Sequence, residues 1–373
     1  MAGVYIHIPF CRKACHYCNF HFSTSDRLQE SFVTALLQEI KLRKKYVSEP
    51  ISTIYFGGGT PSILPSREIK KVLSALSETF LIERGAEITL EANPDDITIE
   101  KLQEWKEIGL NRLSIGIQSF FEEDLKWMNR AHNARQAIDC IHLAQDAGFF
   151  NLTIDLIYGT PTLSDENWKR NVDTAVALQI PHLSCYALTV EPATALEKLI
   201  QQKKLADVDT EKQARHFEQL MEWMKESGYD HYEISNFSKP GFRSKHNSSY
   251  WQGKQYIGLG PSAHSFNGHT RQWNIANNAL YIQSLAQGTI PAEEELLSKQ
   301  QQLNEYIMTS LRTLEGISLQ KIRDFGEDKY ETVLKTAGSH LRCQHLTLED
   351  NFLKTTSAGK LLADGIAADL FIL

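Results

Sequence analysis

The chain has 373 residues, of which 42% are hydrophobic and 23% charged, and a formal net charge of -7 at pH 7. This composition is typical of a soluble globular protein with room for two or three domains, and its mild acidity argues against nucleic acid as a partner. No apolar run reaches the roughly 18 residues of a membrane span, and the first residues lack the pattern of a signal peptide. We therefore expect a cytoplasmic protein without a membrane span.

Short β-rich runs alternate with longer amphipathic segments through the first two thirds of the chain, as in parallel strands joined by crossover helices. The predicted strands cover residues 4–8, 53–56, 87–91, 112–117, 152–157 and 182–188. The predicted helices lie near residues 27–46, 66–79, 98–108, 134–147, 164–178 and 211–227. Six such units favour an α/β fold, an incomplete TIM-like (β/α)6 barrel, with reactive groups at the carboxyl ends of the strands.

The sequence changes character after about residue 230. We predict that residues 1–230 form the partial barrel and that residues 231–295, which are aromatic and loop-rich, form a connector. Residues 296–373 predict a small winged-helix-like domain, with three helices, a hairpin and a final helix. This last segment has nine Lys and Arg against ten Asp and Glu, which favours a docking or lid role over DNA binding.

Three of the six cysteines, Cys11, Cys15 and Cys18, lie within eight residues just after the first predicted strand. Thiolates at this spacing can bind an iron–sulfur cluster, zinc or copper. A structural zinc site usually uses two separated ligand pairs, and no second pair follows. Zinc bound by the three thiols with His16 or His21, and three thiols that bind nothing, stay open as alternatives. A [4Fe–4S] cluster would keep one iron free for an exchangeable ligand.

This C-x3-C-x2-C stretch resembles the radical S-adenosylmethionine (SAM) superfamily. The resemblance implies a [4Fe–4S] cluster bound by the three cysteines, with SAM on the fourth iron. Within the superfamily, Tyr-x-His-x-Pro-Phe-Cys resembles the branch that contains oxygen-independent coproporphyrinogen III dehydrogenase and related heme chaperones of porphyrin metabolism.

The same resemblance implies a set of SAM-binding residues along the strand ends. A glycine-rich run after the second strand would contact the methionyl amino group, and the side chains that follow the other strands suit carboxylate and ribose hydroxyl groups. The set is Tyr5, Tyr17, Gly58, Gly59, Thr60, Glu91, Gln118, Arg130 and Asp155.

Two features separate the heme chaperones from the dehydrogenases. The dehydrogenase pattern has a further cysteine where this chain has Phe20, and an N-terminal extension where this chain reaches its first strand at Val4. The run His-Asn-x-x-Tyr-Trp resembles the heme-binding motif of the chaperones, which implies heme contacts from His246, Tyr250 and Trp251. His264 is a further site candidate, equally well explained as a structural histidine.

We therefore interpret the chain as a heme chaperone that binds a [4Fe–4S] cluster, SAM and heme and transfers heme to an acceptor protein. The alternative is an oxygen-independent coproporphyrinogen III dehydrogenase, so whether the chain is an enzyme stays open. The expected partners are heme and a heme acceptor whose identity the sequence does not give. A reductant protein and a membrane-associated acceptor are compatible with this interpretation, and nucleic acid is not expected.

Overall fold

A computed structural model describes residues 1–372, and its centre is a sheet of six parallel strands. These strands pair in chain order, each with the next. Their bounds are β1 Ala2–Ile8, β2 Ile51–Gly58, β3 Ile82–Ala92, β4 Arg112–Gln118, β5 Leu152–Tyr158 and β6 His182–Ala187. The six predicted strands are confirmed. Sequential parallel pairing brings all their carboxyl ends to one edge of the sheet.

Helices follow the parallel strands, and six of them lie near the predicted positions, whereas those at Glu122–Trp127 and Ala195–Gln201 were not predicted. Thr98 and Ser164 begin two of these helices, since each side chain accepts a hydrogen bond from a backbone N–H three residues later. The helices are α1 Gln29–Leu42, α2 Ser66–Thr79, α3 Ile99–Glu107, α4 Glu122–Trp127, α5 Ala134–Asp146, α6 Asp165–Ala177, α7 Ala195–Gln201 and α8 Thr210–Glu226.

The main hydrophobic core lies between these helices and the parallel strands. Every residue of β4 is buried, as expected for a parallel strand in the middle of a sheet. Trp105 of α3 and Trp168 of α6 are fully buried against it. The core therefore holds the strands rigidly and fixes the positions of the residues at their carboxyl ends.

The segment 231–295 is not the irregular connector that we expected. It contains short strands that extend both sides of the sheet, and each strand is too short to give a clear alternating pattern. The elements are β7 Asp230–Glu233, β8 Asn236–Ser238, α9 Lys245–Trp251, β9 Tyr256–Leu259, β10 His264–Phe266, β11 Thr270–Asn274, α10 Asn278–Ala286 and β12 Ala292–Leu296.

Within residues 1–372 the sheet has twelve strands, with β12 and β7 outermost, and Glu233 of β7 forms a further antiparallel bridge with Thr313. Strand β9 pairs in parallel with β1, and β10, β11 and β12 follow it as antiparallel neighbours. On the other side, β8 pairs antiparallel with β6. The sheet is thus an open barrel, in agreement with the predicted α/β fold class.

The C-terminal residues form a small α+β unit with a hydrophobic core of its own, which includes Leu303, Val333 and Leu353. Three strands pair antiparallel in the order β13, β15, β14, which agrees with the predicted winged-helix-like topology. Within residues 1–372, no helix combines the length and apolar character needed to span a membrane. The elements are α11 Lys299–Leu311, β13 Ile317–Ser318, α12 Leu319–Phe325, α13 Glu327–Arg342, β14 Leu346–Glu349, β15 Phe352–Thr355, α14 Ser357–Lys360 and α15 Ala363–Leu370.

Candidate cofactor site

A cavity of about 410 Å³ lies at the carboxyl ends of the parallel strands, and we call it the cysteine-lined cavity. Cys11, Cys15 and Cys18 line it. It also brings together all but one of the predicted SAM residues, which come from six different segments of the chain. They are Tyr17, Gly58, Gly59, Thr60, Glu91, Gln118, Arg130 and Asp155.

The three cysteines are free thiols and half-buried, on the loop that follows β1. Thr60 Oγ1 donates to Cys11 Sγ over 3.5 Å, and Arg130 Nη1 donates to Cys15 Sγ over 3.2 Å. Burial raises the pKa of Cys11 to about 11, and it raises the pKa of Cys18 as well. Thr60, which follows β2, and Arg130, between α4 and α5, therefore already contact two of the sulfur atoms in the cavity wall.

A zinc site needs its ligands to surround one ion, and the positions of the thiols can be compared with that requirement. Within the part of the chain that the structure describes, no group of three or more His, Cys, Asp or Glu side chains is placed to hold a metal ion. A [4Fe–4S] cluster places each thiolate on a different iron, so its ligands do not converge on one ion. His16 Nδ1 is hydrogen-bonded to the carbonyl oxygen of Trp127 over 2.8 Å.

The glycines after β2 are required for close packing beside the cysteine loop. A Cβ on Gly59 would lie 2.7 Å from the Phe10 carbonyl oxygen and 3.0 Å from Cys11 Sγ. Gly58 has a φ of +107°, and a Cβ there would lie 2.7 Å from the His7 ring. Only glycine lets the strand end approach the loop this closely.

Arg130 connects the cysteine loop to the ends of two strands. Its Nη2 donates to Asn93 Oδ1 and to the Gly116 carbonyl oxygen, both over 2.8 Å, and its Nη1 lies 3.4 Å from the Tyr17 hydroxyl. Its buried Nε has no hydrogen-bond partner within residues 1–372. The guanidinium thus places positive charge beside the thiols in a polar pocket.

Two carboxyl groups, Glu91 and Asp155, face the cysteine-lined cavity. Burial raises the pKa of Glu91 to about 8, and the nearby Asp155 adds to the shift, while the Tyr55 hydroxyl, which donates to Glu91 Oε1 over 2.7 Å, opposes it. Burial also raises the pKa of Asp155 to about 6, against the attraction of Arg130 and Arg112. A positively charged group bound beside these two carboxyl groups would favour their ionised forms and lower both pKa values.

Gln118 ends β4 in a left-handed backbone conformation, with a φ of 67°. The strand register shifts between Ile115 and Gln118 where β4 pairs with β5. A bulge with positive φ at a non-glycine residue costs free energy and usually serves to redirect a side chain. Here it directs the Gln118 side chain into the cavity wall.

Tyr5 is the exception among the predicted SAM residues, because it lines a second cavity of about 760 Å³. We call this second space the large cavity. It lies between the β1 and β9–β11 side of the sheet and the C-terminal helices α11 and α12, and Tyr250 and Trp251 line it too. Asn19 and Phe20 line both cavities, so the two spaces meet at the end of the cysteine loop.

His246, by contrast, lines neither cavity and is 1% exposed. Its Nδ1 is hydrogen-bonded to Thr53 Oγ1 and its Nε2 to the Tyr250 hydroxyl, each over 2.8 Å. Its ring stacks on Tyr55 with a centroid distance of 4.9 Å. Both ring nitrogens are therefore engaged, and neither is free to bind iron in this conformation.

The sequence interpretation missed several residues of the cysteine-lined cavity. Tyr186 lies near the end of β6, Thr189 follows that strand, and Ser114 lies within β4. The sequence has polar residues at the end of β6, but no motif distinguishes them from ordinary strand residues. Asn93 also lines the cavity and donates to Thr60 Oγ1 over 3.2 Å, which links the glycine-rich run to Arg130.

Comparisons with known proteins agree with this geometry. Residues 5–175 match the Radical SAM superfamily, and residues 297–362 match the HemN C-terminal domain. Coproporphyrinogen III oxidase (HemN) from Escherichia coli, described as a radical SAM enzyme, superposes with a TM-score of 0.86 at 22% identity, covering 99% of this chain and 90% of that one. At that identity the superposition shows a shared fold.

Sequence relatives are more specific. A protein named heme chaperone HemW from Bacillus subtilis is 35% identical over 329 residues, which cover 87% of this chain and 86% of the relative. Another of that name from Mycobacterium tuberculosis is 33% identical over 374 residues, which cover 99% and 94%.

The fold and the cysteine-lined cavity define a radical SAM protein. Within that superfamily, the chain belongs to the HemW family. Superfamily membership implies a [4Fe–4S] cluster and SAM, and the donor set fits both, with three thiols beside a polar cavity that carries carboxyl, amide and guanidinium groups.

Proposed function

We propose that this chain is a heme chaperone that binds a [4Fe–4S] cluster, SAM and heme and passes heme to an acceptor protein. The observation that carries the proposal is its match, at 33% identity over 99% of its length, to a relative named heme chaperone HemW. The match extends beyond the superfamily region at residues 5–175. It therefore supports a role more specific than that of the superfamily.

Cys11, Cys15 and Cys18 would hold three irons of the cluster, and SAM would complete the fourth. Together the bound cluster and SAM supply one-electron chemistry. Arg130 and Thr60 hold the cysteine sulfurs in place. The SAM contacts would come from the predicted residues of the cysteine-lined cavity, with Tyr5 adjoining at Gly57, where a Cβ would lie 3.0 Å from both the Tyr5 ring and Glu91 Oε1.

The large cavity supports heme as the cargo. Its volume of about 760 Å³ lies within the roughly 300–1,000 Å³ of small-molecule and cofactor sites. Tyr250 and Trp251 line it, and aromatic side chains of this kind pack well on a flat macrocycle.

Phe20 disfavours the dehydrogenase alternative, because the dehydrogenase pattern has cysteine at that position. The side chain is 65% exposed at the junction of the two cavities and supplies no thiol there. The acceptor protein and a reductant protein would be the macromolecular partners. All six cysteines are free thiols, which supports a location in the reducing cytoplasm.

The test uses the full-length chain, reconstituted with iron and sulfide without oxygen. One sample is titrated with heme and mixed with apomyoglobin as a generic acceptor, and a second receives reductant, SAM and coproporphyrinogen III. We expect stable heme binding, transfer to the acceptor and no porphyrinogen turnover. Formation of protoporphyrinogen as the main product would overturn the chaperone role in favour of the dehydrogenase.

A further inference from the structure

The large cavity has one wall from the sheet and one from the C-terminal helices. The side chains of these walls indicate which kind of ligand the cavity suits. Tyr256 and Phe266 face it from β9 and β10 of the sheet, while Tyr306 and Phe325 face it from α11 and α12. Aromatic groups on opposite sides of a space suit a flat apolar ligand. This arrangement gives the C-terminal unit a binding function, because without α11 and α12 the cavity has one wall.

Three histidines line the large cavity, and their hydrogen bonds distinguish them. His7 has both nitrogens engaged, Nδ1 with the Tyr5 hydroxyl over 3.1 Å and Nε2 with the His21 carbonyl oxygen over 2.8 Å. His21 Nε2 is hydrogen-bonded to Asn278 Oδ1 over 2.7 Å. His264 is exposed in β10, and within residues 1–372 neither of its nitrogens has a partner. It is therefore the most accessible imidazole of the cavity.

The charged side chains around the large cavity differ in whether they have an ion-pair partner. Arg271 is already paired with Glu305 across 2.7 Å. The Lys321 ammonium lies 4.0 Å from the centre of the Tyr306 ring, and no carboxylate of residues 1–372 lies within 4.0 Å of it. An unpaired cation beside an aromatic wall suits a ligand that is flat, apolar and carboxylated at its edge.

We propose that heme binds in the large cavity with His264 as an axial ligand of its iron and with its propionates directed toward Lys321. This inference rests on the proposed chaperone function and assigns its cargo site. Imidazole nitrogen is the commonest protein ligand of heme iron. An exposed imidazole on β10 also suits cargo that must leave again.

His246 then has a different role from iron ligation. It holds Tyr250 through its Nε2 and packs on Tyr55, so it is a positioning residue for the aromatic wall. Tyr250 in turn packs edge-on against Tyr256, with ring centroids 4.6 Å apart. His246 thus affects the cavity through Tyr250 and Tyr256 without touching its contents.

The first experiment titrates the full-length chain with ferric heme and reads the axial-ligand signature by visible absorption and electron paramagnetic resonance. His264→Ala should weaken binding at least about tenfold, since loss of even an outer-shell partner of a metal ligand typically costs about 10–100-fold in affinity, and should change the spin state. Added imidazole should restore the wild-type spectrum. His142→Ala, which changes an exposed histidine on α5, should behave like wild type.

A second pair of variants tests the opposite wall. Lys321→Glu should weaken heme binding about two- to fivefold or more, since an exposed ion pair is replaced by repulsion, and the effect should shrink at high salt. Lys335→Glu, at an exposed position of α13, makes the same charge change away from the cavity and should have no effect.

The outcomes separate this inference from the proposed function. Failure of the wild-type chain to bind heme would overturn both. Heme binding with an unchanged ligand signature in His264→Ala would overturn the assignment of His264 alone. If the axial-ligand signature is lost in His246→Gln but retained in His264→Ala, then His246 is the iron ligand.

Discussion

Arg130 donates a hydrogen bond from Nη1 to Cys15 Sγ across 3.2 Å, although the two residues lie 115 positions apart in the chain. The same guanidinium binds Asn93 and the Gly116 carbonyl oxygen through Nη2. One side chain thus fixes the cysteine loop to the strand ends that form the rest of the cavity. The position of the thiols depends on this contact as much as on their spacing.

Arg130→Lys tests this connection. Lysine keeps the charge but cannot reach Cys15, Asn93 and Gly116 together, so one or more charge-assisted hydrogen bonds are lost. Each is worth about 1.5–3 kcal/mol, which predicts SAM binding weaker by roughly ten- to 100-fold, measured by calorimetry on the cluster-loaded protein. Arg135→Lys, at an exposed ion pair with Asp139, is the control, and equal affinities in the two variants would contradict the prediction.

Cys15→Ser tests the ligand assignment. A serine hydroxyl is a much poorer iron ligand than thiolate, so the broad absorbance of the reconstituted cluster should be lost, together with most of the bound iron. Cys343→Ser removes an exposed cysteine of the C-terminal unit and should leave both unchanged. If the Cys15→Ser protein keeps a full complement of iron and sulfide, Cys15 is not a ligand.

Gly58→Ala and Gly85→Ala form a matched pair. Both glycines have positive φ, +107° and +82°, but a Cβ on Gly58 meets the His7 ring at 2.7 Å, whereas one on Gly85 meets nothing within 4 Å. We expect Gly85→Ala to cost about 1–2 kcal/mol of unfolding free energy from backbone strain. Gly58→Ala should cost about 1–3 kcal/mol more from overpacking. Urea unfolding of the cluster-free chains measures both, and equal losses would show that the contact with His7 relaxes freely.

Glu91→Gln should change how stability depends on pH. The pKa of Glu91 is about 8 in the folded chain and 4.5 in its unperturbed state, so between these values the unfolded chain has released a proton that the folded chain retains. Folding stability therefore falls as pH rises through this window. Glutamine never ionises and can still accept from Tyr55, so the variant should gain stability over wild type from pH 5 to pH 8, by roughly 1–3 kcal/mol.

Urea unfolding of the cluster-free chains at pH 5, 6.5 and 8 measures this gain. Asp155, whose pKa of about 6 is also raised by burial, is present in both proteins, and its repulsion with Glu91 forms part of the measured difference. Glu107→Gln, at an exposed residue of α3, is the control. A difference between Glu91→Gln and wild type that stays constant with pH would show that Glu91 ionises normally.

The sequence was most informative where local pattern and topology coincide. The six parallel strands were predictable because each is a short β-rich run, and their order follows from the alternation with helices. Once the strands are parallel, residues at their carboxyl ends must meet at one edge. For that reason Gly58, Glu91, Gln118 and Asp155 could be grouped with the cysteines, whereas Arg130 joined them only through the family resemblance.

The remaining features of the fold and the site depend on contacts between distant segments of the chain, which no local sequence pattern indicates. Strand β10 has three residues and pairs with β11 and β9, so it is too short to be predicted from alternation. The burial of His246 depends on Thr53, which lies 193 positions away. A histidine in a motif and a histidine in a core look alike in sequence, and only the fold distinguishes His246 from His264.

Asn19 and Phe20 belong to the walls of both cavities, and they follow Cys18 directly. Under the proposed function the occupants of the two spaces share this boundary, and we expect the free energy of binding one to depend on the presence of the other, reciprocally. The dissociation constant for heme that we expect to measure is then a conditional quantity. It acquires a defined value only when the loading of the cysteine loop and the concentration of SAM are stated with it.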